Sequence, residues 1–165
     1  MIGRGDLGTP YFPVFIDLHD KPVLIVGAGK VASRRAGVLA SFEAGITVVA
    51  PAGTGAMEQL VKDGAVVWQR RCFKPADLVG KQMVIAATSD AGVNERIVDL
   101  CREKNIPVNH AGDKSRCDFY FPGIARQDSV VAGICTSGSD PGQTARLTRL
   151  LKEWLLKAVM DRGEK

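Results

Sequence analysis

Gly27-Ala28-Gly29-Lys30-Val31-Ala32 has the pattern G-x-G-x-x-A. Residue types in this order can cradle a pyrophosphate. Gly27 makes a tight turn, Gly29 lets the backbone approach the phosphates, and Ala32 lets a helix pack closely on the preceding strand. A helix beginning at Lys30 and Val31 presents unbonded N–H groups and the positive end of its dipole to the anion. The pattern is weak alone and gains meaning only between a strand and a helix. Pro22-Val23-Leu24-Ile25-Val26-Gly27 is such a strand, and from Lys30 to Ala44 apolar residues recur at helical spacing. The sequence therefore points to a nucleotide site rather than to a purely structural turn.

The rest of that site departs from the common scheme. A carboxylate about 20 residues after the glycines usually holds the adenosine ribose. Here the region reads Val49-Ala50-Pro51-Ala52-Gly53, with no acid and no nearby arginine to take a 2′-phosphate. Backbone groups of Pro51 and Ala52 are left to contact the ribose, and the rule selects neither NAD nor NADP. Ala86-Ala87-Thr88-Ser89-Asp90 closes a later strand, and strand C-termini face the ligand crevice in such sheets. Thr88 is placed to touch the nicotinamide half; Thr88-Ser89-Asp90 serves equally well as the cap of the next helix. Ser137-Gly138-Ser139, between a strand and a helix N-terminus, can take an anion or act as turn plus cap.

Other chemistries are poorly represented. Cys72, Cys101, Cys117 and Cys135 form no C-x-x-C pair, and His19 and His110 lie outside any H-E-x-x-H motif. No metal site and no disulfide framework are expected, and the thiols suit a cytoplasmic protein. Lys and Arg exceed Asp and Glu by 22 to 18, a mild excess that suits an anionic small molecule. There is no basic block of five or more and aromatics are only 6%, so nucleic acid is not the expected partner. No apolar run approaches the ~18 residues of a membrane-spanning helix. Residues 1–10 lack an apolar h-region and read as a loose arm, not a signal peptide.

The elements around the glycine loop alternate. Ile46–Ala50, Ala65–Trp68, Gln82–Ala87 and Pro107–Asn109 are strand-like. Thr54 can cap a helix reaching about Lys62, and Asp90 one carrying Val93, Ile97, Val98, Leu100 and Cys101. Continuously apolar strands alternating with helices predict a parallel sheet covered on both faces. After about residue 110 the rhythm changes. Asp118–Pro122 is aromatic and Ser129–Cys135 is one long β run. Asp140, Pro141 and Gln143 then open a helix whose apolar stripe includes Leu147, Leu150, Leu151, Trp154 and Leu155. That helix either packs on its own sheet or meets a partner. The expected architecture is α/β: a Rossmann-type doubly wound parallel sheet in residues 1–112, then a small α+β dimerisation and substrate segment with a C-terminal helix in residues 113–165.

Several segments taken in order are more specific than any one of them. They are Pro13-Val14-Phe15-Ile16-Asp17-Leu18, the strand and glycine loop from Val23 to Ala32, Thr47-Val48-Val49-Ala50-Pro51 and Val84-Ile85-Ala86-Ala87-Thr88. Ile106-Pro107-Val108-Asn109, Cys117-Asp118-Phe119-Tyr120-Phe121-Pro122 and Ser137-Gly138-Ser139-Asp140-Pro141 complete the set. The ordered set resembles the precorrin-2 dehydrogenase family of siroheme biosynthesis, some members of which are also sirohydrochlorin ferrochelatases. The resemblance runs from about Tyr11 to Leu156. It implies oxidation of precorrin-2 to sirohydrochlorin with NAD as cofactor, with Fe²⁺ insertion as a secondary activity. It also implies a tetrapyrrole substrate, a homodimer and no membrane. The chain ends at Lys165, short of the family's further helical domain.

The resemblance also implies a catalytic aspartate three residues after the Asn that ends the fifth strand. Counting forward from Asn109 and backward from Phe119-Tyr120-Phe121-Pro122 both reach Gly112. Asp113, one residue on, is the expected base, with His110 as the alternative. Removing two hydrogens needs a hydride acceptor, which the cofactor supplies, and a proton acceptor, which a carboxylate can be. The same carboxylate could take pyrrole protons during metal insertion. At an ordinary pKa of ~3.9 an aspartate is a weak base, and desolvation by a bound macrocycle would strengthen it. For a substrate rich in carboxylates, Asn109, Arg116, Ser137, Gly138 and Ser139 are the expected contacts, with Lys114, Arg126 and Arg146 as a cationic rim. Two other readings stand beside this one: an NAD(H)-binding regulatory or sensor module without turnover, and an oxidoreductase for a different anionic substrate.

Overall fold

The computed structural model describes residues 12–137 and 140–160. The arm expected at residues 1–10 lies outside them. Five strands, β1 (Pro22–Val26), β2 (Gly45–Val49), β3 (Val67–Gln69), β4 (Met83–Ala86) and β5 (Val108–His110), form one parallel sheet in the order β3-β2-β1-β4-β5. Three helices connect them: α1 (Lys30–Ala40), α2 (Gly55–Lys62) and α3 (Ala91–Glu103). This is the doubly wound, Rossmann-type fold that the strand–helix alternation predicts.

The strands read as continuous apolar runs because both faces are covered. Leu24, Val26, Val49, Val84, Ala86 and Val108 form one face and pack with Leu78 and with Ile97, Val98 and Cys101 of α3. Val23, Ile25, Val48 and Ile85, of opposite parity, are also fully buried, as are Ala32 and Ala36 of α1 and Met57 of α2. The chain leaves β1 toward β2 and leaves β4 toward β5, in opposite directions across the sheet. Right-handed crossovers then place α1 and α3 on opposite faces and part the sheet's C-terminal edge beyond β1.

Local chemistry sets the helix ends. Thr54 Oγ1 accepts the Met57 N–H, and Asp90 Oδ1 accepts the Val93 N–H at 3.0 Å. The spacing predicts that α1 continues to Ala44, but it stops at Ala40. Ser41 Oγ bonds the Val38 carbonyl at 2.7 Å, and Glu43 adopts φ +59° in the turn to β2.

The chain forms two compact units, divided between Phe15 and Ile16 and again between Phe119 and Tyr120, with the residues before Ile16 grouped with those from Tyr120 on. Ile16–Phe119 holds the five-stranded sheet. In the second unit, β6 (Gly123–Gln127) pairs antiparallel with β7 (Val130–Ile134), and α4 (Pro141–Met160) packs on this hairpin. The sequence predicts one long β run at Ser129–Cys135. The observed hairpin adds the partner strand Gly-Ile-Ala-Arg-Gln, whose composition carries no period-two signal, and turns at Asp128 with φ +50°. Gly123 is where the helix comes close: a Cβ there would lie 2.1 Å from Thr148 Oγ1 and 3.1 Å from Thr144 Cγ2. The apolar stripe of α4 divides. Leu155 is buried, whereas Leu147, Leu150 and Trp154 are exposed at 40, 47 and 62%.

Candidate functional site

The glycine loop turns where β1 meets its neighbours. Gly27 has φ +110°, and a Cβ there would lie 2.3 Å from the Ala87 carbonyl oxygen. Its N–H donates to Val49 O, and the Ala87 N–H donates to Val26 O, so strands β2 and β4 both grip this turn. No residue other than glycine fits both constraints. Gly29 is the N-cap of α1 and carries no side-chain cap, unlike Thr54 and Asp90 at the other two sheet helices. The N–H groups of Lys30 and Val31 precede the first backbone bond of the helix, donated by Ser33 to Gly29 O at 2.9 Å. A Cβ on Gly29 would meet nothing within 4 Å, so the space over this helix end is clear.

That space belongs to a crevice of about 650 Å³ at the C-terminal edge of the sheet. Gly27, Gly29, Pro51, Ala52 and Thr88 all line it. Lys30 and Val31 are exposed in the first turn of α1. The β2–α2 loop is held against the glycine loop. Thr54 N–H donates to Ala28 O at 3.1 Å, Ser33 Oγ and Thr54 Oγ1 bond at 2.9 Å, and Gly53 leaves room for Ala28 and Trp68. Thr88 reaches the crevice wall, but its hydroxyl is turned inward. It lies 2.8 Å from Asn94 Oδ1, which also accepts the Thr88 N–H at 3.0 Å. The free helix end, the clear space above it and the apolar walls fit a dinucleotide, with backbone N–H groups for its phosphates.

Sequence reasoning missed the far wall. Cys72, Phe73, Pro75, Val93 and Arg96 complete the crevice. Cys72 and Phe73 stand in a segment without regular structure, and no local motif marks them. Arg96 brings a cation to a site in which no arginine is visible near strand two.

Beside the crevice, β5 leads into a loop that ends in a 3-10 turn, Lys114–Arg116. The Ala111 N–H donates to Ala86 O at 2.8 Å, which ties this exit to the end of β4. Asp113 caps the turn: Oδ1 accepts the Ser115 N–H at 2.8 Å and the Ser115 hydroxyl at 2.7 Å. These bonds hold the Asp113 carboxyl below the usual carboxylate range, with the charge of Arg116 adding to the effect. His110, 6% exposed, accepts the Gly112 and Asp113 N–H groups on Nδ1 at 3.0 and 2.9 Å.

The expected substrate contacts have structural partners. Asn109 is 2% exposed. Its Oδ1 accepts from Arg35 of α1, and its Nδ2 donates to Phe119 O at 2.7 Å. Arg116 Nε pairs with Glu95 Oε2 at 2.8 Å, and its Nη2 bonds Asp99, both on α3. Ser137 stands in the turn before α4 with φ +52°; Gly138 and Ser139 lie outside the described residues. Among the described residues no group of three or more His, Cys, Asp or Glu side chains is placed to hold a metal ion. Among them, too, no helix is long and apolar enough to cross a membrane.

Residues 14–123 match a family model described as "Putative NAD(P)-binding". Siroheme synthase 1 of Cronobacter sakazakii is 38% identical over 152 residues, which cover 92% of this chain and 32% of that protein. Siroheme synthase of Methylococcus capsulatus is 36% identical over 131 residues, 79% of this chain and 28% of that one. The chain thus spans about a third of the length of the curated relatives it matches. Among solved structures, one titled "SirC, precorrin-2 dehydrogenase" superposes with a TM-score of 0.73 at 27% identity, covering 87% of this chain and 70% of that one. The family match takes in the whole crevice, from the glycine loop to the far wall, and the chain belongs to this NAD(P)-binding family.

Proposed function

We propose that this chain is an NAD-dependent precorrin-2 dehydrogenase that oxidises precorrin-2 to sirohydrochlorin in siroheme biosynthesis. The observation that carries the reading is the likeness to a solved precorrin-2 dehydrogenase over 87% of the chain. The siroheme synthases of the comparison support the same substrate class.

When bound, the dinucleotide supplies the hydride acceptor. The chain's own residues do the rest. The N–H groups at the start of α1 hold the pyrophosphate, Gly27 and Gly29 let it approach, and Pro51 and Ala52 meet the ribose through their backbone. Thr88 forms the wall toward β4. Asp113 accepts the departing proton. Its carboxyl is ionised at neutral pH and weakly basic, because Ser115 stabilises the anion. A macrocycle seated over it would strip water and raise its basicity. Arg116, Ser137, Gly138 and Ser139 are the proposed contacts for the substrate's carboxylates. Asn109 contributes by holding Phe119 O rather than by direct contact. Fe²⁺ insertion would use the same carboxylate on pyrrole protons, with the metal as substrate.

Residues 113–165 serve as the dimerisation and substrate segment in this proposal, and the homodimer forms through Leu147, Leu150 and Trp154. These are exposed at i, i+3 and i+7, one face of α4. The four cysteines are free thiols, which suits the reducing cytoplasm.

The test is anaerobic incubation with precorrin-2 and NAD⁺, following sirohydrochlorin and NADH absorbance. Equal formation of both above a no-protein control is expected. NAD⁺ binding without turnover would instead support the sensor reading, which Gly112 at the family's aspartate position favours. Turnover of another polyanionic substrate in place of precorrin-2 would support the third.

A further inference from the structure

The loop after β5 is organised around a histidine that the proposed chemistry leaves unused. His110 ends β5 on the face that packs against α3, opposite in parity to Asn109. Its ring is buried at 6% exposure. Nδ1 accepts two backbone N–H groups, from Gly112 at 3.0 Å and Asp113 at 2.9 Å. A neutral imidazole has one N–H and one lone pair. Two donors on Nδ1 require the lone pair there, so the proton sits on Nε2, which faces Glu95 Oε1 at 3.5 Å. The only basic nitrogen of this ring is therefore already committed, inside the loop. This removes His110 as the alternative proton acceptor.

What the ring does instead is hold the turn. Cys117 closes the same loop from the other side. Its Sγ accepts the His110 N–H at 3.2 Å and lies 3.3 Å from both the His110 and Asp113 carbonyl oxygens, toward which the thiol can donate. The backbone between Gly112 and Asp113 has its N–H groups satisfied by one side chain and its far end clasped by another. Gly112, with no side chain, adds nothing to this hold.

We propose that His110 is the positioning residue of the site: by accepting the Gly112 and Asp113 N–H groups on Nδ1, it sets the direction in which the Asp113 carboxylate leaves β5. The inference rests on the reading of Asp113 as proton acceptor. A misplacement of about 1 Å can cost up to about 100-fold in rate, so a turn released from its anchor is expected to show chiefly in kcat.

The experiment compares His110→Asn and His110→Leu in the full chain. The Asn Oδ1 occupies the place of Nδ1 and can accept both N–H groups, whereas leucine fills the volume and accepts nothing. In precorrin-2 dehydrogenation, His110→Leu is expected to lower kcat by about ten- to a hundredfold. His110→Asn should stay within about threefold. Neither should change KM for NAD⁺, because His110 does not line the crevice. The acid limb of the kcat profile should move to higher pH in His110→Leu alone, as Asp113 loses the ordered turn that lets Ser115 hold its carboxyl low. Hydrogen exchange at the Gly112 and Asp113 amides should be faster in His110→Leu and parental in His110→Asn. Parental exchange in His110→Leu, or equal kinetic loss in both variants, overturns the inference. The two readings fail differently. If the parent does not turn over precorrin-2, or Asp113→Asn keeps full activity, the proposed function or base falls, and amide exchange still decides the role of His110.

Discussion

Gly29→Asp separates cofactor binding from folding. A Cβ at this position meets no atom within 4 Å, and φ is −77°, an ordinary value for any residue. Aspartate is also a better N-cap than glycine by a few tenths of a kcal/mol, and its charge suits the positive end of α1 by about 0.3–1 kcal/mol. Stability should therefore hold or rise slightly. For a chain of this length, about 1 kcal/mol corresponds to roughly 2–4 °C in Tm, so a shift of 0 to about +4 °C is expected. Binding should respond in the opposite sense. The new carboxylate stands where the pyrophosphate must lie, and two like charges 4 Å apart repel by about 4 kcal/mol at an effective dielectric constant of 20. That is about a thousandfold in affinity for one phosphate charge alone. Isothermal titration with NAD⁺ and a thermal melt read the two effects separately. Gly27→Ala is the contrasting control. Its Cβ would overlap the Ala87 carbonyl at 2.3 Å, at a φ that L-residues rarely adopt, and the atom it meets is backbone that cannot swing aside. That variant should lose about 3 kcal/mol or more and melt roughly 6–12 °C lower. An NAD⁺ affinity unchanged by Gly29→Asp would refute the assignment of the crevice.

Three further expectations follow from the same structure. A Cβ at Gly112 would have its nearest heavy atom, His110 Cε1, at 3.4 Å, so Gly112→Asp should cost less than about 1 kcal/mol. In a chain already carrying Asp113→Ala it should restore NADH formation, and continued inactivity of that double variant would show that the base must stand at residue 113. Asp77 receives two bonds from Arg71, at 2.8 and 2.5 Å, and the Lys74 N–H at 2.8 Å, which together hold its carboxyl low. A depressed carboxylate stabilises above its unfolded pKa of ~3.9 and loses that contribution as pH falls through its folded value. Asp77→Asn should thus lower stability by about 1 kcal/mol at pH 7, with the difference closing below about pH 4; a pH-independent difference in urea melts would contradict this. Burial pushes the Cys101 thiol up to about 12, while Cys72 and Cys135 are exposed. Iodoacetamide at pH 8 should label Cys72 and Cys135 in the native protein and Cys101 only after unfolding, as peptide mapping would read.

Much of the sheet was legible because its strands have no solvent face. Val23–Val26 and Val84–Ala86 read as strands without any alternation to interpret, and the glycine loop follows one of them directly. Helix starts were legible where a short polar side chain meets a helix end, at Thr54, Asp90 and Asp140. Strand β6 was not, since Gly-Ile-Ala-Arg-Gln takes its β character from pairing with β7 and from the helix above it. Parity was not legible either. Asn109 and His110 are adjacent, yet one points to Arg35 and the other toward α3, and a one-residue change of register would exchange them. The pairing of Arg116 with Glu95 and Asp99 was not legible, because those two residues lie about twenty residues earlier on another element. Asn94 carries the β4–α3 turn from inside the first helical turn, a place where asparagine is common and signals little.

The central place of β1 has a consequence during synthesis. Its first neighbour, β2, follows after the single crossover helix α1, but the second, β4, is about sixty residues downstream in the chain. Once residue 49 has emerged, one edge of Val23–Val26 can pair, and the other stays open until residue 86 is made. At about 5–20 residues per second that interval is a few seconds. An uncovered apolar strand edge is the surface on which nascent chains associate with one another. The hairpin of β6 and β7 with α4 has no such wait, because its pieces are consecutive and its closures local. The hazardous moment for this chain is the one in which the strand bearing the glycine loop has found only one of its two neighbours.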